Sequence, residues 1–238
     1  MTNILEKVVG YIYPKRCPIC HDIVADREVK IHKACLEKLP IIKEPRCKKC
    51  GKQIDSIDVE YCFDCTKKKH YFDEGYGALL YDEKMQKSMT YFKFYGRREY
   101  GAFYGELLMH LCEKIIKRWQ PDVLIPIPIH RRRRNSRGYN QAEIIGRVLS
   151  KGFSIPIRSD LIRRVKNTKA QKELNIDERK KNLSGAFLAE TDIAKYHKVL
   201  IVDDIYTTGS TIDEIAKEMK RKGVEKVFFV TVCQGHGF

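Results

Sequence analysis

From Tyr71 onward, short apolar runs alternate with longer stretches in which apolar residues return every three or four positions. The short runs predict strands at Gly77–Tyr81, Val123–Ile127, Gly185–Ala189, Val199–Val202 and Lys226–Val232. Several are apolar throughout, the pattern of strands buried on both faces of a parallel sheet. Between them, Glu99–Trp119 sets Phe103, Leu107, His110 or Leu111 and Ile115 on one face of a helix. A helix after Asn140 turns Ala142, Ile145, Val148 and Leu149 inward, and Ile212, Ile215, Ala216 and Met219 form another stripe. This alternation predicts an α/β fold with right-handed crossovers: an open, mainly parallel sheet, helices on both faces, ligands at the carboxyl ends of the strands.

Residues 14–69 read differently. After an amphipathic stretch (Ile4, Leu5, Val8, Val9, Ile12) they hold few apolar residues and many Cys, Lys and Pro, too little to build a core. The division predicted near Lys67–His70 gives a cysteine-rich domain at 1–70 and an α/β domain at 71–238. With 238 residues, 43% hydrophobic, the chain can bury one α/β core and carry a small extra domain. No run approaches the roughly 20 apolar residues of a membrane span, and the first residues lack a secretory layout. A soluble, cytoplasmic protein is expected.

Seven of the nine cysteines lie between Cys17 and Cys65. Cys17 and Cys20, His32 and Cys35, Cys47 and Cys50, and Cys62 and Cys65 form four pairs with two residues inside each. Eleven residues separate the pairs within each half, so sequential pairing predicts two tetrahedral Zn2+ sites, a double zinc ribbon. One has three thiolates and an imidazole, the other four thiolates; His21 competes with His32, and four thiolates also suit iron. Cys112 and Cys233 stand alone in apolar surroundings.

The formal charge of +15 is concentrated. Residues 130–181 carry 16 basic and 5 acidic side chains, which points to a phosphate-rich ligand. Around the cysteine pairs, Lys48, Lys49, Lys52 and Lys67–Lys69 interleave with Tyr61, Phe63, Tyr71 and Phe72. That mixture suits single-stranded nucleic acid, phosphates on cations and bases on rings.

Two segments carry chemistry at strand ends. Val199–Val202 runs into Asp203 and Asp204, then Thr207, Thr208, Gly209, Ser210 and Thr211, then a helix. A hydroxyl-rich turn before a helix is an anion cradle, because the first amides of the helix lack internal partners. The acids can accept hydrogen bonds from vicinal ribose hydroxyls, and Thr211 with Glu214 has the spacing of a capping box. No Gly-x-x-x-x-Gly-Lys-Ser/Thr motif occurs. The strand at 123–127 delivers a basic loop, His130, Arg131, Arg132, Arg133, Arg134 and Arg137, to the same edge; clustered guanidiniums suit a pyrophosphate.

The run from Val199 to Thr211 resembles the signature loop of type I phosphoribosyltransferases. The resemblance implies that fold, with Asp203 and Asp204 on the ribose, Thr207–Thr211 on its 5-phosphate and His130, Arg131 and Arg132 on the pyrophosphate. It also implies a hood loop, with Arg163, Thr168, Gln171, Arg179 and Asn182. Hypoxanthine-guanine phosphoribosyltransferases carry an acid/base Asp where this chain has Thr207, which disfavours purine salvage. Together with Tyr81, Lys93, Gly96 and the cysteine-rich start, these segments resemble the ComF family, the competence-associated phosphoribosyltransferase-like proteins with ComFC- and GntX-type members. That resemblance implies a part in uptake or handling of single-stranded transforming DNA, alongside other DNA-uptake proteins, and binding of phosphoribosyl pyrophosphate or a nucleotide. The alternative is an active transferase using Mg2+ with phosphoribosyl pyrophosphate on an acceptor that the sequence leaves unidentified, as it does the catalytic residue.

Overall fold

The computed structural model describes residues 14–26, 28–166 and 183–237. Among the described residues, the cysteine-rich part holds two short helices, α1 (Lys33–Leu36) and α2 (Phe63–Lys67). Strand β1 (Glu74–Leu80) follows, then α3 (Glu83–Phe94), α4 (Tyr100–Leu111) and α5 (Glu113–Trp119). Next come β2 (Val123–Pro126), α6 (Arg131–Arg137) and α7 (Gln141–Phe153). The chain ends through β3 (Ile162–Arg164), β4 (Phe187–Ala189), β5 (Lys198–Tyr206), α8 (Ser210–Arg221) and β6 (Lys226–Gln234).

Among the described residues, four strands form one parallel sheet in the order β1-β6-β5-β2. Because side chains alternate along a strand, each strand serves two cores. Leu124, Leu200, Val202, Phe228, Val230 and Val232 pack with Met89, Leu108, Ile145 and Leu149 of the helices on one face. Val123, Ile125, Val199, Ile201, Val227 and Phe229 meet Ile212, Ile215 and Met219 of α8 on the other. Helices α4 and α7 touch where Gly105 meets Val148, since a Cβ at Gly105 would lie 2.5 Å from the Val148 Cβ.

Three elements depart from the sequence pattern. The helix expected over Glu99–Trp119 is two, joined at Cys112 (φ −100°, ψ 3°), and the bend accompanies a flat stack of Trp119 on Phe228 at 4.8 Å. The strand expected at Gly185–Ala189 does not enter the parallel sheet. It shrinks to β4 and pairs antiparallel with β3, a strand that Ile162-Arg163-Arg164 hardly announces, and it packs on α8. The basic loop after β2 is instead helix α6: His130 caps it through Nδ1, which accepts from the Arg132 amide, and Gly138 closes it at φ +80°. Arginine is a good helix former, and these two ends are helix stops.

The cysteine-rich part borrows its core. Cys17, Val24, Ile31 and Leu39 join the cluster on one face of the sheet, and Cys47, Cys50, Ile54 and Cys62 join the other. Ile41 bridges antiparallel to Leu79, with the Ile42 amide donating to the Ala78 carbonyl at 3.0 Å, so this segment covers the free edge of β1. Among the described residues, no helix is long and apolar enough to cross a membrane.

Candidate functional site

Strand β5 outruns its neighbour. β2 ends at Pro126, opposite Val202, so residues 203–206 continue beside β6 alone and leave an open edge toward α6 and α7. Asp203 and Asp204 therefore sit on strand, not in a loop, and both line a cleft of about 390 Å³ with Thr207 and Thr211. Asp204 is buried and paired with Lys93 of α3 at 2.8 Å, and its amide donates to Asp203 Oδ1 at 2.9 Å. Burial, and then the charge of Asp204, pushes the Asp203 carboxyl up to about 7, with Lys93 opposing. Two adjacent carboxyls resist joint ionisation unless hydroxyls or a cation satisfy them.

The turn after β5 is set by Gly209, at φ +72°. A Cβ there would fall 2.6 Å from the Tyr206 hydroxyl, so the backbone lies directly on that ring. Gly209 is the N-cap of α8 and brings no side-chain acceptor to it, and a helix start of this kind attracts an anion. The capping box suggested by Thr211 and Glu214 is not made; Glu214 accepts from the Gly185 amide at 2.8 Å and ties the β3-β4 arm to α8. Thr208 and Ser210 hydroxyls pair at 3.1 Å within the turn.

Among the described residues, three guanidiniums reach the cleft, from Arg133 and Arg137 of α6 and Arg164 of β3. Their spacing in α6 is one helical turn, so Arg131 and Arg132 are exposed outside the lining and His130 stays at the helix start. Arg137 lies 5.1 Å from the Phe94 ring and donates to Gln141 Oε1 at 2.5 Å. Burial, then Arg133, lowers Arg164 to about 10, so it is still charged at neutral pH. Arg163 points elsewhere, paired with Glu190. Thr168, Gln171, Arg179 and Asn182 lie outside the described residues. Met89, Phe94, Ile127 and Ile129 supply an apolar wall.

The eight metal-ligating residues form two groups, Cys17, Cys20, His32, Cys35 and Cys47, Cys50, Cys62, Cys65, with ligand atoms within 4.8 Å of one another in each. Cys50 and Cys62 sulfurs are 3.6 Å apart, close to the ~3.8 Å expected for a tetrahedral zinc with bonds of about 2.3 Å. His32 Nδ1 is 3.2 Å from Cys20 Sγ while Nε2 donates to the Ile23 carbonyl at 3.1 Å, a bond that fixes the ring and leaves Nδ1 for a metal. His21 is no ligand: it stacks on Tyr91 at 4.0 Å and its Nδ1 bonds the Tyr100 hydroxyl at 3.0 Å. Both donor sets fit zinc.

Residues 8–66 match the double zinc ribbon domain and residues 104–237 the phosphoribosyl transferase domain. Competence protein F of Haemophilus influenzae is 32% identical over 213 residues, 81% of this chain and 92% of that protein. The chain belongs to the ComF family. Within it, DNA utilization protein YhgH of Salmonella typhimurium is 29% identical over 191 residues, 79% of this chain and 83% of that one. Competence protein ComFC of Bacillus subtilis is 27% identical over 205 residues, 82% of this chain and 79% of that one.

On this ComF-family ribbon, two residues expected to face nucleic acid do not. Phe72 is fully buried against His70 and Phe229, and Lys52 is buried and paired with Asp64 at 2.7 Å. Phe72 is consumed by docking the ribbon on the sheet, and Lys52 by an ion pair within the ribbon. Tyr61, Phe63 and Tyr71 are exposed, together with Lys67 and Lys69. The sequence sets Arg133 and Arg137 in the basic loop without separating them from Arg131, Arg132 and Arg134, and it gives Arg164 no place in the cleft. A helical period through the arginine run would have singled out Arg133 and Arg137.

Proposed function

We propose that this ComF-family chain binds phosphoribosyl pyrophosphate, or another 5-phosphorylated ribose, in the cleft at the end of β5, and takes part in the uptake or handling of single-stranded transforming DNA in the cytoplasm. The observation that carries the first half is the convergence of Asp203, Asp204, Thr207, Thr211, Arg133, Arg137 and Arg164 on one cleft. Asp203 and Asp204 hold the ribose hydroxyls, the turn from Thr207 to Thr211 holds the 5-phosphate, and the guanidiniums face the pyrophosphate. Mg2+ binds through one or two carboxylates plus substrate phosphates, a donor set that Asp203 and Asp204 match, and it would neutralise the pyrophosphate.

Ribose 5-phosphate or phosphoribosyl pyrophosphate at a hundredfold excess over Kd is expected to stabilise the fold by about 2.7 kcal/mol. For a chain of this size that raises Tm by roughly 5–10 °C. The double variant Asp203→Ala, Asp204→Ala should remain folded and lose the shift. An unchanged shift in that variant would mean the ligand binds elsewhere.

The DNA half rests on the names of the relatives, on the basic excess at 130–181 and on the exposed rings and lysines of the ribbon. Affinity for single strands should fall steeply as salt rises, with a log–log slope of about −0.7 per neutralised phosphate. Arg131→Gln with Arg132→Gln, both outside the cleft lining, should flatten that slope by up to about 1.4 and leave the ribose 5-phosphate shift intact. Absence of single-strand binding even at low salt would remove the DNA role.

A second reading, turnover, is favoured by the apolar wall of Met89, Phe94, Ile127 and Ile129, which leaves room for a planar acceptor beside the ribose. Holding the ribose between two carboxylates stabilises positive charge developing at C1. Labelled phosphoribosyl pyrophosphate with Mg2+ and a panel of bases and DNA ends tests it, acceptor-dependent pyrophosphate release being the positive result.

A further inference from the structure

The second cysteine cluster lies directly behind the phosphate turn. Tyr206, the last residue of β5, is buried with its ring stacked on Phe229 at 4.7 Å and edge-on to Phe72 at 6.2 Å. Its hydroxyl side meets the Gly209 backbone. Lys52 Nζ stands 5.7 Å from the same ring, and the partner of Lys52 is Asp64, which lies between the metal ligands Cys62 and Cys65. Tyr206 shares its buried apolar cluster with Cys47, Cys50 and Cys62.

A second tie runs to the helix. Asp213, in the first turn of α8, is buried and accepts from His70 Nδ1 at 2.7 Å, from the Tyr71 amide at 3.1 Å and from Lys68. All three donors follow Cys65 closely in sequence. These bonds outweigh burial and hold the Asp213 carboxyl below its ordinary value, so it is ionised and tightly held at neutral pH. The ribbon is also pinned to the sheet, with Gln234 Nε2 donating to the Cys50 carbonyl at 2.9 Å and the Gly75 amide to the Lys49 carbonyl at 2.9 Å. The first cluster rests elsewhere, on α3 and α4, through Ser88 to the Pro18 carbonyl and through His21 to Tyr100.

We infer that the Cys47–Cys50–Cys62–Cys65 cluster forms the rear wall of the phosphate site, with Tyr206 and Asp213 as positioning residues that couple anion binding in the turn to metal retention in that cluster. The inference rests on the reading of the turn as a phosphate cradle. Coupling free energies are reciprocal, so a phosphorylated ribose in the turn must tighten the metal, and loss of the metal must loosen the ribose. The first cluster makes no such bonds to the turn among the described residues and should be indifferent.

The test uses the full-length protein loaded with cobalt, in which a four-sulfur centre and a three-sulfur, one-nitrogen centre have separate visible bands. Binding of ribose 5-phosphate is first measured by calorimetry, with inorganic phosphate as a second probe. Metal affinity is then measured band by band by equilibrium competition with EDTA. Ribose 5-phosphate is expected to tighten the four-sulfur centre about tenfold, within the usual span of such couplings, and to leave the other unchanged. Asp213→Asn should bind both metals, weaken ribose 5-phosphate several-fold and reduce the protection to less than twofold. His70→Ala serves the same purpose if that variant does not fold, and Tyr206→Phe should retain the protection that Tyr206→Leu loses. Ribose 5-phosphate that binds but protects neither centre, or both equally, overturns the coupling alone. Failure to bind at all overturns the phosphoribose reading and the coupling with it.

Discussion

Cys50→Ser is expected to leave one zinc per chain instead of two and to melt the second ribbon well below the rest of the protein. Cys50 is fully buried and belongs to the four-sulfur cluster. A structural zinc contributes about 10–16 kcal/mol in isolated zinc-finger peptides, as much as the roughly 5–15 kcal/mol net stability of a whole domain. Residues 14–69 have little apolar surface of their own to offset that loss. Serine is a poor ligand at neutral pH, and its hydroxyl would sit in a site built for sulfur. Cys112→Ala provides the comparison. Cys112 is equally buried, but burial pushes its thiol up to about 12, and it belongs to neither cluster. That variant should keep two zinc ions and lose only the packing of one sulfur, on the order of 1–2 kcal/mol. Elemental analysis with a melting curve reads both; two zinc ions in purified Cys50→Ser would refute the assignment of the second cluster.

What the sequence disclosed was whatever depends on periodicity. The stripe Ile212, Ile215, Ala216 and Met219 is buried as its spacing requires, and the cysteine pairs close as their equal separations suggest. What it hid depends on neighbours distant in the chain. Asp203 looks like a loop residue because β5's apolar run stops at Val202, yet pairing with β6 carries the strand on to Tyr206. Arg164 enters the cleft and Arg163 does not, a choice made by a three-residue strand too short to show alternation. Lys93 meets Asp204 only because α3 crosses the end of the sheet. Tyr71 and Phe72 read alike in sequence; the docked ribbon buries Phe72 and leaves Tyr71 half exposed.

Gly209→Ala is the sharpest single-atom test of the phosphate turn. Two costs add. At φ +72° an L-residue is strained by about 1–2 kcal/mol, and the new Cβ would lie 2.6, 2.8 and 2.9 Å from the Tyr206 Oη, Cε2 and Cζ atoms. The ring cannot retreat, because Phe229 stacks on it and Phe72 abuts its edge. Overpacking against a fixed ring costs about 1–3 kcal/mol, and the easier escape is for the turn itself to move. Moving the turn displaces the first amides of α8 from the anion. Affinity for ribose 5-phosphate should therefore fall by about 10- to 100-fold, the equivalent of about 1.4–2.8 kcal/mol. Gly223→Ala separates the two costs: Gly223 also has positive φ, +96°, but nothing within 4 Å of its added Cβ. It should lose roughly 1–2 kcal/mol of stability from backbone strain alone and bind ribose 5-phosphate as the wild type does. Equal affinities in all three proteins, measured by calorimetry, would show that the anion does not lie on the Gly209 turn.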